Sequence, residues 1–262
     1  MPDFWSRLDE ELDLWRTARR PARLWLRDDD AIEPTPALDR LIELTDRFGV
    51  PLLLAVIPAG AESPLANRLK HCRHIAPCQH GFAHRNHAPA GAKAEELGLH
   101  RSTLQVLAEL QEGRRRLIEL FGDGLSPVLV PPWNRIAPKL LPSLPALGLR
   151  ALSAFGWEEL GPVAGLREAN CHVDIIDWKA TRRGHDHATL VERLVGALAT
   201  ARALNGAPVG ILAHHLVHGE TAWSFLEELF RGTADRDAAQ WITADEVLRS
   251  PLSPLAARRG QG

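Results

Sequence analysis

The chain has 262 residues, 45 % hydrophobic and 24 % charged, with 31 Lys plus Arg against 33 Asp plus Glu and a net charge of −2. That balance belongs to a folded globular protein large enough to bury its core without disulfides or a structural metal. It excludes a disordered chain, a collagen-like repeat and a basic nucleic-acid module. No apolar run is long enough to span a membrane. Cys72, Cys78 and Cys171 lack CxxC spacing, and the start, MPDFWSRLDEELDLW, lacks a basic segment followed by an apolar one. The expected setting is therefore a reducing cytoplasm.

Residues 3–19 read as a helix, since Trp5, Leu8, Leu12 and Trp15 recur at helical spacing, with Asp3 as its cap. Lying before the first strand, this helix suits a lid or a bottom plug. Leu24-Trp25-Leu26 is a short buried strand that runs into Arg27 and the triplet Asp28, Asp29, Asp30. A helix follows with Leu38, Leu41, Ile42 and Thr45 on one side, stopped by Gly49 and Pro51. Leu52 to Ile57 is an unbroken apolar strand of the kind covered on both faces. Residues 64–70 form a helix, 73–79 a strand that delivers His80, and 85–100 a polar loop.

Ser102 and Gln105 form a capping box for a helix to about Phe121, closed by Gly122. Val128 to Val130 is a strand ended by Pro131 and Pro132. Residues 138–147 read as a helix, and 150–155 and 172–176 as strands. Residues 188–204 form an Ala/Leu/Val helix, and Val209 to Ala213 a strand delivering His214. Residues 220–230 form a helix, and Thr243 with Glu246 caps a last short one. The tail from Pro251 is expected to fray. About seven or eight strands alternating with helices describe a single α/β domain with a parallel sheet, at the length of one closed or nearly closed barrel.

Strand ends collect the unusual polar residues: the Asp triplet, His80, Asp174 with Asp177, and His214 with His215. In a parallel barrel these ends share one face, where sites form. Carboxylates and imidazoles gathered there are costly to desolvate unless they pair or bind a cation. His80 and His84, four residues apart, reach one ion if the chain turns after His80. An Asp oxygen from the first strand completes a two-His, one-carboxylate set suited to Zn²⁺ or another divalent metal such as Co²⁺, Ni²⁺ or Mn²⁺. Hydrolysis at such a metal needs a base, for which a second Asp beside the ligand serves, and an acid, for which His214 is the candidate. A carboxylate such as Asp177 would hold His214 protonated near neutral pH. Trp133 and Trp178 can stack on a sugar ring, whereas Trp5, Trp15, Trp157, Trp223 and Trp241 read as core packing.

In order along residues 23–218, these segments resemble those of the polysaccharide deacetylase family (carbohydrate esterase family 4, NodB homology domain). The resemblance implies a distorted (β/α)-barrel of about seven repeats and metal-dependent deacetylation. Asp29-Asp30-Ala31 matches the first segment, implying Asp29 as base and Asp30 as metal ligand, with Asp28/Asp29 as the alternative register. His80 and His84 match the two-His segment as ligands. Gly81 departs from it, standing where the family carries a Ser or Thr whose hydroxyl braces the loop. Val130-Pro131-Pro132-Trp133 resembles the groove wall, with Val130 in place of the family's Arg, for which Arg27 or Arg135 are the candidates. Asp174-Ile-Ile-Asp177-Trp178 implies that Trp178 walls an acetyl pocket and that Asp177 tunes the acid. Ile211-Leu-Ala-His214 matches the segment carrying the acid.

The implied substrate is a small molecule or saccharide, with no nucleic-acid partner. A cyclic ureide or other amide is the alternative on the same fold. A catalytically silent saccharide-binding barrel is the alternative from another class, and metal binding with amine release separates the two classes.

Overall fold

The computed structural model describes residues 4–158, 161–234 and 236–249. The cap expected at Asp3 and the tail from Pro251 lie outside these residues. In chain order the helices are α1 (Phe4–Thr17), α2 (Pro36–Arg47), α3 (Ser63–Leu69), α4 (Thr103–Phe121), α5 (His187–Ala203), α6 (Glu220–Thr233) and α7 (Ala244–Arg249). The strands are β1 (Ala22–Ala31), β2 (Leu52–Val56), β3 (Ile75–His80), β4 (Val128–Val130), β5 (Ala151–Leu152), β6 (Arg167–Glu168), β7 (Cys171–Asp174), β8 (Val209–Ala213) and β9 (Ala239–Trp241). Among the described residues no helix is long and apolar enough to cross a membrane.

The chain packs as two compact units, and β1 passes from one to the other at Asp28–Asp29. The first unit holds the chain through Asp28, Pro36–Leu52, and the part from Cys171 on. Its strands are parallel: β1 pairs with β8 from Leu24↔Val209 to Asp28↔Ala213, and β8 pairs with β7. The three residues of β9 add to the start of β1. Residues 239–241 carry no strand signal of their own, and β9 is seen only in its pairing with β1.

Helix α1 packs along α5. Leu8, Leu12 and Trp15 are buried, and Arg202 forks onto the buried Glu11 at 2.9 and 3.1 Å. The helix expected as a lid or plug is thus a packing element of this unit. Asp186 caps α5 by accepting from the Thr189 N–H, and Thr243 and Glu246 exchange bonds as the capping box expected before α7.

The second unit holds Asp29–Thr35 and Leu53–Asn170. Its strands β3, β4, β5 and β6 are parallel neighbours in that order, with Gln79↔Leu129 and His80↔Val130 setting the register of β3 on β4. Val106 and Leu110 of α4 form a core with Leu129, Leu140, Leu144 and Leu152.

Two expectations need correction here. Residues 138–147 are a run of 3-10 turns rather than an α-helix, since Pro142 and Pro145 supply no N–H and block the i→i−4 ladder. Ser102 stands at the start of α4 with no side-chain capping bond, so the capping box with Gln105 does not form. Gly122 does close α4, at φ +54°, with its N–H on the Ile118 carbonyl.

Candidate active site

β1 carries the Asp triplet as strand, buried through Asp29, and then turns. Asp30 has φ +72°, the left-handed region that non-glycine residues seldom occupy. The turn brings the Asp30 carboxylate to the end of β3. Its Oδ1 lies 3.0 Å from His80 Nε2 and 3.3 Å from His84 Nε2. One donor atom from each of these residues falls within 4.8 Å of the others. Asp28 takes no part in this cluster, so the geometry selects Asp30 from the triplet. Asp29 is 2 % exposed, and its charge acts on His80.

His80 is held from behind. Its Nδ1 meets the Val130 carbonyl at 2.9 Å and donates to it, so Nε2 is the ring nitrogen turned toward Asp30. Burial works against its charge, but the Asp30 hydrogen bond and the Asp29 and Asp30 charges outweigh it and raise its pKa. His84 moves down instead, through burial first and then the His80 charge, against the pull of Asp30. The Trp133 ring lies 4.3 Å from the His84 ring, centroid to centroid, and buried Pro132 packs beside Gly81. His84, Trp133 and Asn134 share the positive φ of Asp30. Such conformations persist where surrounding structure enforces them, and they gather at functional sites.

Val130, standing where the family motif has Arg, is a buried β4 residue. Its carbonyl also accepts the Gly81 N–H at 3.0 Å. Arg135 is committed to the Ala94 carbonyl at 2.7 Å, while Arg27 lies fully buried in β1.

The first unit presents the remaining candidates. His214 follows β8, with its N–H on His218 Nε2 at 3.3 Å. Burial holds the His218 pKa at about 4, so its ring is neutral and Nε2 is free to accept. The Trp178 ring stands edge-on to His214 at 4.8 Å, and its Nε1–H donates to Asp174 at 2.8 Å.

The other carboxylate of the motif does something else. Asp177 accepts from the Lys179 and Ala180 N–H groups, which, with the backbone bond from Ala180 foremost, lower its pKa. Among the described residues, the imidazole within ion-pair reach of Asp177 is that of His185, at 3.9 Å. The motif therefore aims Trp178 with its first Asp and closes a turn with its second.

Asp28 is spoken for elsewhere. It takes the His215 N–H at 2.8 Å and His215 Nδ1 at 2.5 Å, with both side chains essentially inaccessible. The sequence places His215 beside His214 at a strand end without showing what it meets. The available signal was an Asp directly before Asp29 and Asp30, on a strand whose neighbour is followed by two His.

At the level of sequence, no family model and no curated protein matches the chain. Solved structures match nearly all of it. A Mycobacterium smegmatis protein assigned as a polysaccharide deacetylase superposes with a TM-score of 0.68 at 15 % identity, over 90 % of this chain and 91 % of that one. A family 4 carbohydrate esterase from Streptococcus mutans gives 0.59 at 16 % identity, over 89 % and 90 %. A pseudoenzyme of the same esterase family from Bacillus anthracis gives 0.59 at 13 % identity, over 87 % and 66 %. At such identities the likeness speaks for the fold and leaves the chemistry to the residues. The chain has the α/β fold of the NodB-homology polysaccharide deacetylases.

Proposed function

We propose that this chain is a metal-dependent hydrolase of a non-peptide carbon–nitrogen amide bond, acting on an N-acetylated amino sugar or saccharide. The observation that carries the reading is the Asp30, His80, His84 cluster. Bond lengths of about 2.0–2.2 Å at tetrahedral to octahedral angles place neighbouring donors about 2.8–3.6 Å apart. Asp30 Oδ1 stands 3.0 and 3.3 Å from the two Nε2 atoms. The donors therefore fit a divalent first-row ion, which we assign as Zn²⁺, with Co²⁺, Ni²⁺ and Mn²⁺ acceptable to the same set. Such an ion supplies Lewis acidity toward a carbonyl and makes water more acidic.

Asp29, next to the ligand Asp30, takes the proton of the attacking water. His214 gives a proton to the departing nitrogen, so amide and water become acid and free amine. Trp178, held by Asp174, and Trp133 offer flat apolar faces to a sugar ring or an acetyl methyl. Asp177 shapes the turn beside Trp178.

A second reading has its own observation. Val130 replaces the family's Arg, and one solved protein of this fold is a pseudoenzyme. A silent saccharide-binding barrel would keep the donors and lack turnover.

The test is elemental analysis of the wild type and of His80→Ala/His84→Ala, followed by assay of acetate and amine release. The substrates are N-acetylglucosamine oligomers, with cyclic ureides alongside. One metal per chain, lost in the double variant, with acetate released, supports the proposal. Ureide opening without acetate release moves the substrate class. Metal bound without turnover of any amide favours the silent barrel, and absence of metal after reconstitution with Zn²⁺ overturns the hydrolase.

A further inference from the structure

For His80 and His84 both to face Asp30, the segment between them must turn sharply, and its N–H groups then lie outside any helix or strand. Three of them converge on one side chain. Glu96 Oε2 accepts from the Phe82 N–H at 2.9 Å, and Oε1 accepts from the Ala83 N–H at 2.9 Å and the Arg85 N–H at 3.1 Å. Glu96 is 1 % exposed, so these bonds form away from water, where a carboxylate bonded to N–H donors holds them strongly. Its own stretch of loop is fixed in turn. The Leu97 carbonyl accepts the Ala137 N–H at 2.9 Å, and Arg101 reaches the Glu96 carbonyl at 3.4 Å.

Gly81 completes the arrangement. A Cβ there would come within 2.1 Å of Glu96 Oε2 and 2.6 Å of Pro132, and the residue sits at φ +53°. The space that a side chain after His80 would need holds the Glu96 carboxylate instead.

We propose that Glu96 is the positioning residue of the metal-binding loop. Its carboxylate, matched to Gly81, does the bracing that falls in the family's motif to a hydroxyl after the first His. The inference rests on Asp30, His80 and His84 holding a metal. Glu96 touches no ligand atom; it fixes the backbone that carries His84, as supporting groups around metal sites commonly do.

The experiment is zinc affinity by chelator competition for the wild type, Glu96→Gln and Glu96→Ala, with thermal melts of the metal-free proteins. Glu96→Gln keeps length and shape but turns an NH₂ donor toward N–H donors. Zinc affinity falls about 10–100-fold in both variants, the range for groups supporting metal ligands, while the melts stay cooperative. With Co²⁺ in place of zinc, the visible absorption changes as His84 loses its position. Affinities within about twofold of wild type in both variants overturn the role of Glu96 alone. Failure of the wild type to bind zinc overturns the metal reading on which it rests.

If neither variant folds, hydrogen exchange of the metal-free wild type decides. The Phe82, Ala83 and Arg85 amides exchange as slowly as those of β3, and exchange at the rate of an exposed loop overturns the proposal.

Discussion

Asp28 and Asp30 differ by two positions on one strand, and their substitution separates two kinds of loss. Asp28→Ala removes a buried carboxylate that accepts both the His215 N–H, at 2.8 Å, and His215 Nδ1, at 2.5 Å. Leaving buried donors without their acceptor costs about 1–3 kcal/mol. With an unfolding entropy of about 2.1 cal/mol/K per residue, taken over 262 residues, the melting temperature falls by about 2–5 °C. Metal stoichiometry is retained, since Asp28 is not a donor in the cluster. Asp30→Ala behaves in the opposite way: it removes one of three donor atoms and abolishes stoichiometric metal binding, with a smaller loss of stability from a partly exposed side chain. The assay pairs thermal unfolding with metal content on the folded fraction. Folded Asp28→Ala without metal, or Asp30→Ala with a full equivalent, would refute the assignment. A double-mutant cycle of Asp28→Ala with His215→Ala adds a second check, because purely additive costs would mean that the two side chains do not interact.

Further expectations follow from single contacts. His172, which accepts the Gly210 N–H at 3.0 Å, has its pKa held at about 3 by burial. A histidine depressed in the folded state stabilises above its unfolded value near 6.5 and loses that contribution as pH falls. About 2 kcal/mol therefore disappears between pH 6.5 and 5, and urea titrations of His172→Asn, which keeps an acceptor, show a flatter profile. His80 carries the reverse sign: with its folded pKa raised, its contribution to metal-free stability is present below about 6.5 and declines as pH rises through the folded value. The metal competes with that same proton, so zinc affinity by chelator competition strengthens as pH rises. Trp178→Ala lowers kcat/KM on an acetylated saccharide by about 10-fold or more through a lost stacking face. Asp174→Asn, which loosens the indole at 2.8 Å, moves it in the same direction by less; activity equal to wild type in both variants would remove Trp178 from the site. Gly81→Ala weakens zinc binding, since its Cβ would strike the Glu96 carboxylate at 2.1 Å.

Local chemistry carried much of this protein in its sequence. The apolar runs of β2, β4 and β8, the periodic faces of α2 and α5, and the stop at Gly122 are legible because neighbouring residues decide them. His80 and His84 are legible as a pair because four residues and a glycine set their reach. The register of the Asp triplet is not, since three identical side chains on one strand differ only in what lies beyond them. Once folded, Asp28 meets His215, Asp29 is buried, and the positive φ at Asp30 turns its carboxylate to the imidazoles. Asp174 and Asp177 exchange their expected weight for a similar reason: the bonds to Trp178 and to the turn at Lys179–Ala180 depend on how the chain leaves β7.

Glu96 marks the boundary most clearly. In the sequence it is one acidic residue in a polar loop, separated by 14 residues from the first N–H it accepts. Nothing local distinguishes it from Glu95. Composition and periodicity determined that this chain is an α/β protein with histidines and aspartates at strand ends. Which carboxylate meets the imidazoles, and which one holds their loop in shape, was decided by tertiary structure alone, because such contacts join residues that become neighbours only after the sheet and helices have packed.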